Sequence, residues 1–195
     1  MRILAIECSG ADGSVALVQD GRVVGEEQFA CPRGRGGGLF PALSRIVLQG
    51  TNLDLVLVGT GPGSYNGLRS SIAAAWGVSK ARGVRLAGVC SLLGFDARDY
   101  YVVGDARAGE WFFARVTGGK LVSGPELLAP EVVRTLIEKG VPVFSGRDPG
   151  GIEGVEICCP RAEILVRHAA EAGNAEPIYL KPPHITKKIA RQNFN

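Results

Sequence analysis

The stretch Gly59-Thr60-Gly61-Pro62-Gly63-Ser64-Tyr65-Asn66-Gly67-Leu68-Arg69 is where this sequence could do chemistry. An apolar run ends in Gly-Pro-Gly and then in residues that read as a helix start. Glycine permits positive φ, and a helix start offers free N–H groups and a partial positive charge, so the corner suits an anion. The plain alternative is a tight strand-to-helix turn that binds nothing. It is not a P-loop, because no Gly-Lys-Ser/Thr follows at the required spacing. It is not a dinucleotide fingerprint, because GxGxxG is not completed.

Two acids, Glu7 and Asp105, close predicted strands in the two halves of the chain. With Gly61 and Gly63 they are the candidate cofactor-binding positions, and a structural role is the alternative for both. Metal-assisted transfer needs converging His, Asp or Glu ligands. The only histidines, His168 and His184, are 16 residues apart, which is not the His-x-x-x-His spacing of one helix face. Ser64 lacks the Gly-x-Ser-x-Gly frame of a nucleophile elbow. The sequence therefore predicts no catalytic residue, no metal and no cofactor for this chain alone. The five cysteines read as small apolar residues: Cys8, Cys31 and Cys90 are isolated, and adjacent Cys158 and Cys159 lack CxxC spacing.

These residues sit in 195 residues, one large domain or two small ones at ~100–150 residues each. Hydrophobic residues are 46% and charged residues 21%, which excludes wholesale disorder. The 28 glycines are about twice the usual ~7% share and have no collagen period, so they imply many tight turns. Net charge is +3. The one basic cluster, Lys181, Lys187, Lys188 and Arg191, reads as a solvated tail, with too few cations to hold a nucleic acid tightly. No apolar stretch reaches the ~18 residues of a membrane span, and Glu7 interrupts the first one, so no membrane and a cytoplasmic location are expected.

The elements that must position the candidates follow from periodicity. Strands are expected at 3–8, 14–19 and 22–29, the last two joined by Asp20-Gly21. A glycine-rich loop is expected at 30–38, a helix at 39–49, a strand at 53–59, a helix at 68–82 and a strand at 85–90. The second half reads as strands at 101–104, 110–116 and 120–123, a helix at 130–139, a strand at 141–145 and a helix at 161–172. Both halves thus read β-β-β-α-β-α, an α/β unit of the ribonuclease H type used twice. The expected subdomains are 1–98 and a shorter 99–195.

Five stretches resemble one family in colinear order. Ile3 to Ser9 followed by Ser14-Val-Ala-Leu-Val resembles ILAIDTS…SVAL, and Gly61 to Arg69 resembles GPGSFTGLR with Tyr65-Asn66 in place of Phe-Thr. Leu86 to Leu92 resembles its GVSSL strand, Gly104 to Glu110 its DARxGEVY hairpin, and Glu176 to Lys181 its PxYLR segment. The family is TsaB (YeaZ). Where members carry a His-Ser-Glu segment before the first helix, residues 33–39 read Arg-Gly-Arg-Gly-Gly-Gly-Leu.

The resemblance implies an actin/hexokinase-type fold of two ribonuclease-H-like halves. It implies a non-catalytic subunit that supports a TsaD-type catalytic partner in forming N6-threonylcarbamoyladenosine in tRNA beside the anticodon. A TsaE-type ATPase joins through the complex, ATP and metal reside on the partner subunits, tRNA is met indirectly, and the isolated chain forms a homodimer. The implied partner interface is the pair of N-terminal helices, with Leu39, Leu43 and Ile46 on the first and Leu68, Ser71, Ala74, Ala75 and Val78 on the second. The alternative is an active phosphotransferase or carbamoyl-type transferase of the same fold, in which acids placed like Glu7 and Asp105 hold a metal-bound nucleotide.

Overall fold

The computed structural model describes residues 1–31, 37–48, 52–106 and 109–181. The expected loop at 32–36, the end of the first helix at 49, the turn at 107–108, His184 and the basic residues 187, 188 and 191 lie outside the described residues.

The first half carries strands β1 (Arg2–Glu7), β2 (Asp12–Gln19), β3 (Arg22–Ala30), β4 (Leu55–Gly59) and β5 (Arg85–Val89), with helices α1 (Leu39–Leu48) and α2 (Tyr65–Arg82). Its sheet order is β3-β2-β1-β4-β5, antiparallel through β3, β2 and β1 and parallel through β1, β4 and β5. The second half carries β6 (Tyr100–Asp105), β7 (Trp111–Thr117), β8 (Lys120–Leu128), α3 (Pro130–Leu136), β9 (Val143–Ser145), β10 (Val155–Ile157) and α4 (Ala162–Leu165). Its sheet order is β8-β7-β6-β9-β10 with the same sense of pairing. The two sheets therefore repeat one topology, the ribonuclease-H-type unit used twice that the element order predicts.

Four expectations need correction. Helix α2 starts at Tyr65, three residues early, because Ser64 caps it: its Oγ accepts the Gly67 N–H. Strand β8 runs on to Leu128 through Gly124-Pro125. It is the edge of its sheet, where a proline's missing N–H costs no ladder bond. Strand β10 is only three residues long, too short for a period to reveal it. The helix expected at 161–172 is one α-turn, α4, followed by 3-10 winding at Val166–Glu171.

Strands β1, β2 and β4 are buried on both faces, which is why they read as continuous apolar runs. Leu4, Ile6, Leu17, Val56 and Val58 meet α1 and α2. Ile3, Ala5, Ala16, Val18, Leu55 and Leu57 meet Ala162, Leu165 and Ala169. The second of these covers belongs to the other half of the chain. Its attachment is specific: the Ala162 N–H donates to Ser14 Oγ at 2.8 Å, Arg161 pairs with Glu26 on β3 at 3.1 Å, and Gly88 and Gly173 exchange both backbone bonds. The two lobes are thus tied by a strap at 161–173.

Leu165 is fully buried in that strap. Leu165→Ala is expected to cost about 2–5 kcal/mol of unfolding free energy. Denaturant unfolding should show circular dichroism and the fluorescence of Trp111, in the second lobe, moving together to lower denaturant. A midpoint within error of wild type would mean the strap does not hold the first sheet.

Candidate functional site

Strand β1 ends on Glu7, whose side chain turns inward and is fully buried. Oε1 accepts the Ser9 N–H at 2.5 Å and Oε2 accepts the Ser91 hydroxyl at 2.6 Å. Ser91 Oγ in turn accepts the Gly61 N–H at 2.8 Å. Gly61 holds φ +91, a conformation only glycine adopts without strain. The Ser91 N–H and the Cys90 thiol both donate to the Gly61 carbonyl. The carboxyl lies against the Gly59 backbone, where a Cβ would fall 1.7 Å from Oε2. Gly63 and Gly67 pack on the carbonyls of Ser9 and Cys8, where a Cβ would come within 2.3 and 2.0 Å. The carboxyl ends of β1, β4 and β5, the usual ligand crevice of an open α/β sheet, are therefore stitched together around one buried acid.

This arrangement brings the candidates Glu7, Gly61 and Gly63 together, with Glu7 and Gly61 buried and Gly63 at the surface. Both Glu7 oxygens are engaged inside the protein, so the geometry does not fit a carboxylate holding a nucleotide-bound cation. Asp105 ends β6 in the second sheet and is exposed. Among the described residues no three His, Cys, Asp or Glu side chains gather as a metal site, and no helix is long and apolar enough to cross a membrane. Burial pushes the Glu7 carboxyl above its ordinary pKa, and the bonds from Ser9 and Ser91 oppose that only in part. Cys8 is not isolated: a thiol hydrogen bond with Cys31, together with burial, raises its pKa, and the same bond lowers that of Cys31 against the opposing effect of burial.

The helix pair corrects the interface residues read from the sequence. Leu39, Ile46, Leu68, Ser71 and Ala75 are core residues, with Leu68, Ser71 and Ala75 at 0% exposure. They are packed inside their own lobe. Leu43 is also buried, but with half-buried Ala74 and Val78 it borders a surface groove. Helix α2 is inverted: its inner stripe of Leu68, Ser71, Ala75 and Ser79 is small and half polar, while Trp76 points out at 58% exposure. The inward serines bond nearby carbonyls, Ser71 to Leu68 and Ser79 to Val84, so neither needs water.

What lies outside was not read from the sequence: Phe40 at 59% exposure, Ala73, Trp76 and Gly77. Two grooves of about 490 Å³ each flank this strip. One, between the helices, is lined by Phe40, Leu43, Ala73, Ala74, Gly77 and Val78, with Ala81 at its end. The other runs between α2 and the chain at 177–179, lined by Arg69, Ile72, Ala73, Trp76, Pro177 and Tyr179. The available signal was the position of Trp76, one turn from Ile72 and off the small-residue stripe.

A raised Glu7 pKa means the folded state binds the proton more tightly than the unfolded one. Glu7 therefore contributes fully below its ordinary value of 4.5, and the contribution is lost as pH rises through the folded value. Glu7→Gln keeps an acceptor for Ser9 or Ser91 without the charge. The difference in unfolding free energy between wild type and Glu7→Gln, measured from pH 4.5 upward, should move in favour of the variant as pH rises. A difference that is flat with pH would show that Glu7 does not titrate in the fold.

A family profile described as TsaD: tRNA N6-adenosine threonylcarbamoyltransferase matches residues 40–109. The tRNA threonylcarbamoyladenosine biosynthesis protein TsaB of Escherichia coli (strain K12) is 28% identical over 97% of this chain and 98% of its own length. An uncharacterized protein of Mycobacterium tuberculosis (strain ATCC 25618 / H37Rv) is 35% identical over 136 residues, 65% of this chain and 64% of that protein. One of Mycobacterium leprae (strain TN) is 35% identical over 61% of this chain and 33% of that protein. The chain thus spans between a third and just under two thirds of these mycobacterial relatives. YeaZ from Pseudomonas aeruginosa shares the fold, with a TM-score of 0.71 at 23% identity over 92% of this chain and 99% of that one. Strand order, motif order and near end-to-end alignment with the Escherichia coli protein agree in making this chain similar to the TsaB (YeaZ) family.

Proposed function

We propose that this chain is the non-catalytic partner of a TsaD-type catalytic subunit in the formation of N6-threonylcarbamoyladenosine in tRNA. The observation that carries the reading is the outer face of α1 and α2. An apolar strip with two grooves is exposed there, while Glu7, one of the two candidate acids, is locked inside. Soluble monomers rarely leave a contiguous patch of this kind uncovered without a use for it. The near full-length likeness to the Escherichia coli protein supports the pathway. ATP and metal belong to the partner subunits, a TsaE-type ATPase joins through the complex, tRNA is reached through the assembly, and the setting is the cytoplasm.

The docking strip is Phe40, Ala73, Trp76 and Gly77, with Leu43, Ala74 and Val78 along its groove. Trp76 has the size and exposure of an interface anchor. A Cβ on Gly77 would meet nothing within 4 Å, so the chain's own packing leaves room for a side chain there.

Gly77→Ala should therefore stabilise the isolated chain by about 0.5–1 kcal/mol, through helix propensity, while weakening association with the catalytic subunit. Trp76→Ala should weaken association by about 2 kcal/mol, roughly 30-fold, with the fold intact. Calorimetric titration with the catalytic subunit from the same organism, alongside thermal melts, reads both. If both variants bind like wild type, the strip is not the docking surface. The isolated chain should also show no ATP hydrolysis. Turnover that survives repurification and is abolished by Asp105→Ala would favour the transferase alternative.

A further inference from the structure

Two thiols meet on the helix-facing side of the first sheet, and nothing in the proposed function uses them. Cys8 follows the last residue of β1 and is 1% exposed, while Cys31 follows the last residue of β3 and is half-buried. Strand β2 lies between them and would ordinarily hold them apart. Glu7 pairs with Ser14 and Phe29 pairs with Gly13, so Gly13 lies between Cys8 and Phe29 in the next row of the sheet. Gly13 has no side chain, and the Cys31 sulfur occupies the space one would need: a Cβ on Gly13 would fall 2.9 Å from Cys31 Sγ. The Cys31 N–H donates to the Ala11 carbonyl at 2.8 Å, which fixes the backbone that aims the thiol. Cys8 belongs to the core cluster with Ile6 and Val15, and Phe29 and Cys31 pack against it. In the thiol–thiol hydrogen bond the proton stays with buried Cys8, and Cys31, nearer to solvent, is the acceptor. The charged groups facing the pair, among the described residues, are Glu7 and Asp12, which oppose a thiolate at Cys31 without cancelling the effect of the Cys8 bond. Elsewhere in the chain burial pushes the Cys90 and Cys158 thiols up to about 11.

We propose that Cys8 and Cys31 form an oxidation site, a thiol pair that a hydroperoxide converts to a disulfide across the start of β2. The more exposed sulfur reacts first, because the thiolate is the nucleophile and access limits the encounter. Cys31 Sγ attacks one oxygen of hydrogen peroxide, an S–O bond forms and the O–O bond breaks. The departing hydroxide takes the Cys31 proton and leaves as the first water, with Cys31 now a sulfenic acid. Cys8 Sγ then attacks Cys31 Sγ, the S–S bond forms and the S–O bond breaks. That hydroxide takes the Cys8 proton and leaves as the second water. The two thiols lose two electrons and the peroxide gains them. The bond ties the end of β1 to the end of β3 and closes residues 8–31 into a loop. It also lies beside the start of α2, because the Cys8 carbonyl packs on Gly67, where a Cβ would come within 2.0 Å. A pair with one half-buried member in a thiol-rich chain fits a reversible, sensing disulfide better than a permanent staple.

The test treats the full chain with hydrogen peroxide at neutral pH, alkylates the remaining thiols and maps tryptic peptides from the monomer band of a non-reducing gel. The peptide of residues 3–22 should appear joined to that of residues 23–33, about 2 Da lighter than the two reduced peptides together, and dithiothreitol should separate them. Before oxidation, a limiting maleimide should label Cys31 roughly tenfold faster, or more, than Cys90 or Cys158. Cys8→Ala removes the second sulfur, so Cys31 should stop at the sulfenic acid, which dimedone traps. It should also react more slowly with peroxide than in the wild type, because its hydrogen-bond donor is gone. If Cys8→Ala does not fold, the wild-type peptide map and labelling rates decide alone. A monomer band without the joined peptide overturns the proposal, whether Cys158 and Cys159 pair instead or no disulfide forms. Cys31 labelling no faster than that of Cys90 and Cys158 overturns it as well.

Discussion

Placing the Glu7 carboxyl beneath Gly59 requires three neighbours at once. Gly59 must lack a Cβ, Ser91 must supply a hydroxyl, and the backbone at Ser9 must turn so that its N–H reaches back. Once those are in place, Ser91 also receives the Gly61 N–H, and the turn into α2 is set. Removing one partner would leave a buried polar group without its bond, which costs about 1–3 kcal/mol and more for a charge. The geometry of α2 depends on this network, and the outer face of α2 is the strip proposed above for docking. An acid that is a ligand-holding candidate by position becomes a structural one by orientation.

The inversion of α2 follows from how tightly it lies on the sheet. Small inner residues let the helix approach β1 and β4, and serines are tolerated there because each bonds a carbonyl within its own neighbourhood. The large side chains of the helix are displaced outward. Trp76 and Tyr65 then hold cations against the surface and give the strip both its apolar area and its charge. The same logic acts on the opposite face of the sheet. A second pair of helices there would demand a longer chain, and instead the strap at 161–173 crosses from the other lobe to cover Ile3, Ala5 and Leu55.

What the residues alone determined was local and periodic. The runs at 3–8, 14–19 and 53–59 could only be buried strands, Asp20-Gly21 could only turn a hairpin, and Gly61-Pro62-Gly63 could only lead a strand into a helix. Two halves of the same element order follow from those, and the sheet orders agree with them. What the tertiary structure decided was which way things face. Glu7 and Asp105 look alike as strand ends, yet one is sealed and the other exposed. Ala75 and Trp76 are neighbours, and the naive rule puts the tryptophan inside, where the structure puts the alanine. The physical reason is that periodicity reports the conformation of a segment, whereas burial and ionisation report what other segments, distant in the chain, bring against it. Ser91 reaching Glu7 across 84 residues and Ala162 reaching Ser14 across 148 are contacts that no local pattern encodes.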